Sequence, residues 1–117
     1  MWLYTDRAFF SVVENRHDKT QFLVRGRYKG DIETFFPDAK VDVNAGTDYK
    51  YRAYLPKKLV QERFMEYMGK ELDYTNFKNS VKDERRLAAY HDVWHTMLRD
   101  QSRSEVAADA DPYLATR

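Results

Sequence analysis

The pattern His91-Asp92-x-x-His95 lies nearer to a catalytic motif than any other part of the sequence. On the helix predicted there, two histidines one turn apart could bind zinc, as in H-E-x-x-H, where the glutamate acts as the base. Aspartate is shorter than glutamate, and the remaining histidine, His17, falls in a predicted hairpin turn. Because a catalytic zinc needs three protein ligands, we interpret His91 as a histidine at the edge of the core and His95 as a solvent-facing one.

Basic and aromatic side chains form the second candidate site. If two predicted hairpins pair in one sheet, one face would carry Arg25, Arg27, Lys50, Arg52 and Tyr54. In proteins that bind single strands, cations follow the phosphates and flat rings stack on the bases, each ring contributing ~1–3 kcal/mol. Lysine and arginine on a strand face also prevent edge-to-edge aggregation, and tyrosine is a good strand former. Nucleic-acid binding is therefore the alternative function and not the leading one.

A third candidate is a polar pocket formed by two loops that face each other. Its residues would be Asp48, Tyr49, Asp73, Tyr74 and Asn76. Helix capping explains part of the same segment more simply, since Asp73 or Thr75 can accept hydrogen bonds from the free amides of a short helix. Tyr74 and Phe77 would then anchor that helix to the core.

The composition excludes several classes of function. The 117 residues contain no cysteine, which removes disulfides, thiolate metal sites and cysteine nucleophiles. A net charge of +1 leaves no large field of one sign, so only a local patch could bind phosphate. The sequence also lacks a phosphate-binding glycine-rich loop and a Gly-x-Ser-x-Gly elbow. We therefore expect a protein that is not an enzyme, with no catalytic residue, cofactor, metal site or small-molecule substrate.

Hydrophobic residues make up 43% of the chain but never form a long run. A membrane span requires about 18 consecutive apolar residues, and the chain opens with no charged leader. The sequence predicts a cytoplasmic protein without membrane contact, located in the host cytoplasm if a phage encodes it.

The elements that would position these residues begin with strands. Alternating apolar residues predict strands over residues 8–14 and 21–28, joined by a turn at 15–19, with Trp2, Leu3 and Tyr4 extending the first strand or forming a separate one. A short helix is expected through Ile32 and Phe36, closed by Pro37. A second hairpin is predicted from residues 40–43 and 49–55, with Tyr49 and Tyr51 on one face and Lys50, Arg52 and Tyr54 on the other.

Helical periodicity dominates the second half. After Pro56, apolar residues recur at helical spacing: Leu59, Val60, Phe64, Tyr67, Met68 and Leu72. A short helix is expected over residues 76–81 and a long one from Glu84 to about Gln101. After Ser102 the composition turns to Ser, Ala and Asp, which predicts a weakly structured or loosely docked tail over residues 102–117 behind a single domain of residues 1–101.

Strands first and helices last favour the α+β class. We expect a largely antiparallel sheet of about four strands, built from the two hairpins and covered on one face by two main helices, with the last helix C-terminal. A ferredoxin-like order fits poorly, because the two hairpins do not follow its split β-α-β pattern.

Several segments together carry a family resemblance. They include Leu23-Val24-Arg25-Gly26-Arg27, Gly46-Thr47-Asp48-Tyr49-Lys50-Tyr51-Arg52-Ala53, Leu72-Asp73-Tyr74-Thr75-Asn76-Phe77-Lys78 and Tyr90-His91-Asp92-Val93-Trp94. Over residues 1–101 the chain resembles a family of small bacterial and phage proteins defined by a domain of unknown function. The resemblance implies a bacterial or phage cytoplasmic setting and no particular activity, substrate or catalytic residue.

The leading hypothesis is a non-enzymatic interaction module that binds another macromolecule. A protein partner, a second copy of the chain included, is favoured over nucleic acid because tyrosine, tryptophan and arginine carry most binding hot spots. Tyrosines that a small core does not need are the expected contacts: Tyr4, Tyr54 and Tyr113. An unpaired sheet edge or the tail would provide the simplest route to self-association.

Overall fold

The first part of the chain is built on a five-stranded antiparallel sheet. The computed structural model describes residues 1–44 and 46–110, which divide into one unit of Met1–Ser80 and a second that begins at Val81. The strands are β1 (Trp2–Tyr4), β2 (Phe9–Glu14), β3 (Gln21–Gly26), β4 (Asp42–Val43) and β5 (Tyr51–Pro56), in the order β1-β2-β3-β5-β4. The predicted α+β class and antiparallel sheet are confirmed. The strand count is five because residues 2–4 form their own strand at the sheet edge.

Both predicted hairpins are present, but the second is shorter than expected. β4 pairs with β5 over Asp42↔Arg52 and Val43↔Tyr51 only. The chain turns between them through Asn44, with φ at 58°, and Gly46, with φ at 73°. The amide of Asn44 donates to the carbonyl of Lys50 at 2.8 Å, and β5 begins at Tyr51, two residues later than predicted.

One face of the sheet carries the core. Alternate residues of the three central strands point to this face, where Val12, Val24 and Ala53 lie directly opposite one another and are buried. Two helices of the first unit pack on this face: α1 (Asp31–Phe35) contacts all three central strands, and α2 (Lys57–Glu66) contacts β3 and β5. Phe10 of β2 packs edge-on against Phe35 of α1 with the ring centroids 5.1 Å apart. Aromatic contacts of this kind hold the helices against the sheet.

The short helix α1 begins where the sequence predicts it. Gly30 precedes it with φ at 91°, a left-handed conformation that glycine adopts without steric cost. The buried carboxylate of Asp31 accepts a hydrogen bond from the amide of Phe9 at 2.9 Å, which ties the first turn of α1 to β2. Pro37 follows the helix, as expected.

The helix after Pro56 departs from the prediction in its last turn. α2 is followed at once by a π-helical turn over Tyr67–Glu71, in place of a regular helix through Leu72. Val60 and Tyr67 are buried, whereas Leu59, Met68 and Leu72 are 45%, 68% and 42% exposed. The predicted apolar stripe was therefore wrong for these three residues. The wider turn changes the angular position of residues after Glu66, such as Leu72, whereas Leu59 lies before the turn and its exposure has another cause.

Helix α3 (Phe77–Ser80) is the short helix expected before residue 81. Its capping side chain is Asn76, whose carbonyl oxygen accepts a hydrogen bond from the amide of Asn79 at 3.1 Å. The cap is thus one residue later than Thr75 and three later than Asp73.

The second unit contains one long helix, α4 (Glu84–Ala110). Asp83 caps it, because its carboxylate accepts a hydrogen bond from the amide of Arg86 at 2.9 Å and lies at the positive end of the helix dipole. The helix predicted to end near Gln101 continues to Ala110, so part of the segment predicted as a tail is helical. Residues 111–117, including Tyr113, lie outside the described residues.

Candidate functional site

One row of side chains crosses the whole sheet on the face opposite the core. Strand register places one residue of each strand in this row: Trp2, Ser11, Arg25, Arg52 and Asp42. We call it the arginine row. Side chains directly opposite on neighbouring strands have their Cβ atoms about 4.5–5.5 Å apart, so the two guanidinium groups extend from adjacent positions.

The two arginines of the row are incompletely hydrogen bonded. Arg25 donates through Nη2 to the hydroxyl of Ser11 at 2.7 Å. The Nε atoms of Arg25 and Arg52 are both buried without an acceptor. Buried donors in native proteins are nearly always paired, so two orphan donors on neighbouring side chains are unusual.

Tyr49 lies between two guanidinium groups. The Cζ atom of Arg25 is 4.6 Å from the ring centroid, and that of Arg27 is 4.3 Å from it. Arg27 also donates to both carboxylate oxygens of Asp48, at 2.9 and 3.2 Å, and this bidentate pair lowers the pKa of Asp48. Because Tyr49 precedes β5 and contacts Arg25, it does not share the face of Tyr51, contrary to the alternation expected for a strand beginning at residue 49.

The structure brings together three of the five residues predicted to bind nucleic acid. Arg25 and Arg52 are direct cross-strand partners, and Tyr54 lies two residues along β5 on the same face, 46% exposed. Lys50 is exposed in the turn before β5, with its amine 6.0 Å from the ring of Tyr51. Arg27 is already paired with the carboxylate of Asp48.

The residues predicted to form a polar pocket make contacts with two different sets of side chains. Asp48 and Tyr49 contact Arg27, as described above. The hydroxyl of Tyr74 lies 3.3 Å from that of Tyr67 on the π-helical turn, and Asn76 caps α3. The amide of Asp73 donates to the carbonyl of Glu71 and does not link Asp48 and Tyr49 to Tyr74 and Asn76, so a shared pocket stays a prediction.

A large groove, which the sequence did not suggest, opens on the core side of the first unit. Its volume is about 610 Å³, and its walls are side chains of β1, β2, β3, α2 and the π-helical turn, among them Leu3, Val12, Phe22, Val60, Phe64 and Met68. Cavities of roughly 300–1,000 Å³ are typical of ligand sites. Apart from the rim residues Glu14 and Gln61, the lining is apolar or carries only a hydroxyl group. We call it the apolar groove.

Polar side chains cluster around Tyr67, one of the residues that line the apolar groove. The hydroxyl of Tyr67 donates to Asp6 at 2.5 Å, and burial together with this acceptor raises the pKa of Tyr67. Behind it, Glu71 accepts from Nη1 of Arg63 at 2.6 Å and from Arg7, and these guanidinium groups lower the pKa of Glu71.

Sequence reasoning missed this cluster because residues eight apart on an α-helix of 3.6 residues per turn point about 80° away from each other. The π-helical turn between Arg63 and Glu71 widens the helix and returns Glu71 to the face of Arg63. A pattern search that assumes α-helical spacing cannot find the pair.

The two histidines of the H-D-x-x-H pattern lie together on α4. The ring centroids of His91 and His95 are 4.6 Å apart, and His91 also packs against Trp94 at 5.6 Å. In the part of the chain that the structure describes, no three His, Asp or Glu side chains are grouped so that they could hold a metal ion.

Comparison with known proteins adds no assignment to this geometry. No family model, curated protein or solved structure matches the chain. None of the helices described here combines the length and apolar character needed to cross a membrane. Functional inference therefore depends on the arginine row and the apolar groove.

Proposed function

We propose that this chain is a non-enzymatic interaction module that binds an extended segment of another protein in the apolar groove. The observation that carries the proposal is the groove itself, an apolar cavity of about 610 Å³ beside an edge strand. Burying apolar surface contributes roughly 25 cal/mol per Å², so apolar side chains of a partner placed in this groove would favour binding.

The rim of the apolar groove exposes hydrophobic side chains to solvent. Met1 is 70% exposed and Met68 is 68% exposed, and both line the groove. Methionine is flexible and polarizable, which suits surfaces that adapt to an incoming side chain. Contiguous exposed apolar surface of this kind is typical of binding sites.

The edge strand β1 argues for a polypeptide rather than a small apolar molecule. Met1 exchanges both main-chain hydrogen bonds with Val12, each at 2.8 Å. Antiparallel pairs alternate, so the main-chain amide and carbonyl of Trp2 point away from β2, toward the open side of the sheet. An extended peptide could pair with that edge and direct alternate side chains into the groove beside Leu3.

The resemblance of residues 1–101 to small bacterial and phage proteins suggests where such a partner would be found. We expect it in the bacterial cytoplasm, which is the host cytoplasm if a phage encodes the chain. A second copy of the chain that donated its own extended segment would be the simplest partner.

Peptide selection on the immobilised full chain tests the proposal. Peptides selected from a random display library would be synthesised with a fluorophore, and their affinity measured by anisotropy for the wild type, Met68→Glu and Met65→Glu. Met65 is the matched control, since it is 75% exposed, lies at the end of α2 just before the turn that holds Met68, and does not line the groove.

We expect selected peptides to carry alternating apolar residues and to bind Met68→Glu at least about tenfold more weakly, because a carboxylate cannot enter an apolar site without desolvation. Met65→Glu should bind as the wild type does. Equal affinities for the two variants, or failure of any peptide to enrich, would refute the proposal.

A further inference from the structure

The arginine row places two like charges side by side, and in the described part of the chain neither guanidinium group forms an ion pair within 4.0 Å. Arg25 and Arg52 are direct cross-strand partners, an arrangement that destabilises a sheet when nothing neutralises it. Asp42 lies opposite Arg52 on the other side, but no ion pair joins them within 4.0 Å in the described part of the chain. The carboxylate of Asp48 is paired with Arg27 and is also attracted electrostatically to Arg25.

The donors of these two arginines divide into an inner and an outer set. The inner donors are the two buried Nε atoms, which have no acceptor. Among the outer donors, Nη2 of Arg25 binds Ser11, while Nη1 of Arg25 and both terminal nitrogens of Arg52 have no acceptor among residues 1–44 and 46–110. These outer nitrogens are not among the buried unpaired atoms, so they are at least partly exposed to solvent.

Such a pair of guanidinium groups matches a phosphate group. The planar fork of arginine binds phosphate through two parallel hydrogen bonds, and partial desolvation strengthens the attraction between the two charges. A ligand phosphate would use the outer donors and neutralise the repulsion between Arg25 and Arg52.

Tyr54 indicates which class of phosphate-containing ligand would bind here. It lies two residues from Arg52 on the same face of β5, about 6.5–7 Å along the strand. Tyr54 is 46% exposed, and its ring can stack on a base adjacent to the bound phosphate. We propose that Arg25, Arg52 and Tyr54 form a binding site for single-stranded nucleic acid, separate from the apolar groove and independent of the peptide-binding function.

The experiment measures binding of a fluorescein-labelled single-stranded oligothymidylate to the full chain by anisotropy, from about 50 to about 200 mM salt. The variants are Arg52→Gln, Tyr54→Ala and the control Lys58→Gln. Lys58 carries the same charge as Arg52, but it lies on α2 with its side chain 85% exposed. Circular dichroism confirms that each variant is folded.

We expect Arg52→Gln to weaken binding and to reduce the slope of log affinity against log salt by about 0.7, the value for one lost phosphate contact on a single strand. Tyr54→Ala should weaken binding at least about fivefold with no change in that slope, since stacking is uncharged. Lys58→Gln should match the wild type, and so should Met68→Glu, because the groove is a different site.

Three outcomes would overturn the inference. The first is equal weakening by Arg52→Gln and Lys58→Gln, which would mean that only overall charge matters. The second is displacement of the oligonucleotide by inorganic phosphate at an equal concentration of phosphate groups, which would mean a simple anion site. The third is binding that does not depend on Tyr54.

Discussion

The hydrogen bond from Tyr67 to Asp6 joins the π-helical turn to the loop after β1, and its removal tests the packing described above. Tyr67 is 3% exposed, and its hydroxyl lies 2.5 Å from the carboxylate of Asp6 and 3.3 Å from the hydroxyl of Tyr74. The substitution Tyr67→Phe removes only the hydroxyl and leaves the ring that packs on Phe35 at 5.1 Å.

The expected loss follows from the type of bond. A hydrogen bond to a charged group contributes about 1.5–3 kcal/mol. The side chain of Asp6 is 25% exposed, so water can replace part of what Tyr67 supplies. We therefore expect Tyr67→Phe to lower the free energy of unfolding by about 1–2 kcal/mol, which corresponds to a melting temperature about 4–8 °C lower.

Urea unfolding followed by circular dichroism provides the measurement, with a lower midpoint and an unchanged slope as the expected result. Tyr54→Phe is the matched control, because the Tyr54 hydroxyl has no partner among the described residues and its loss should change stability by less than about 0.5 kcal/mol. If the two variants unfold at the same urea concentration, the bond to Asp6 does not stabilise the fold and the reasoning fails.

Further predictions concern two glycines and one carboxylate. A methyl group added at Gly30 or at Gly69 would meet no atom within 4 Å, but Gly30 has φ at 91° whereas Gly69 lies in a helical turn. Thermal melts should therefore show Gly30→Ala destabilised by about 1–2 kcal/mol and Gly69→Ala stabilised by about 0.5–1 kcal/mol, and the same sign for both would contradict the backbone argument. Arg63 and then Arg7 lower the pKa of Glu71, so its stabilising contribution is complete above the unfolded pKa of about 4.3 and is lost as the pH falls through the lower folded value. Unfolding from pH 7 to pH 3 should thus show a steeper loss of stability for the wild type than for Glu71→Gln, and parallel curves would exclude this role.

The sequence predicts which residues of the sheet are buried wherever apolar and polar residues alternate along a strand. Val24 faces the core, and its neighbours in β3 point to the opposite face. That Arg25 lies near Arg52 could be predicted on the condition that the two hairpins pair in one sheet. The position of β5 between β3 and β4 carries no periodic signal, because it depends on where residues 27–50 lead the chain.

The helical part was less predictable for a geometric reason. The apolar spacing that placed Leu59, Met68 and Leu72 on a buried stripe assumes a constant 3.6 residues per turn. The turn at Tyr67–Glu71 breaks that assumption for the residues after Glu66, but not for Leu59, which precedes it. Met68 lies in the turn, is 68% exposed and lines the apolar groove. The residues of the apolar groove were therefore visible as individual side chains, but their grouping was not.

The π-helical turn also has a consequence for how the length of the chain can vary. A turn with main-chain bonds from i to i+5 holds a residue more than the corresponding α-helical turn. Related chains that lack one residue between 67 and 71 could close the turn into regular helix and keep α2 in place. A deletion within Lys57–Glu66 would instead rotate Val60 or Phe64 out of the core. Insertions and deletions among relatives should therefore gather at this turn and avoid the ten residues before it.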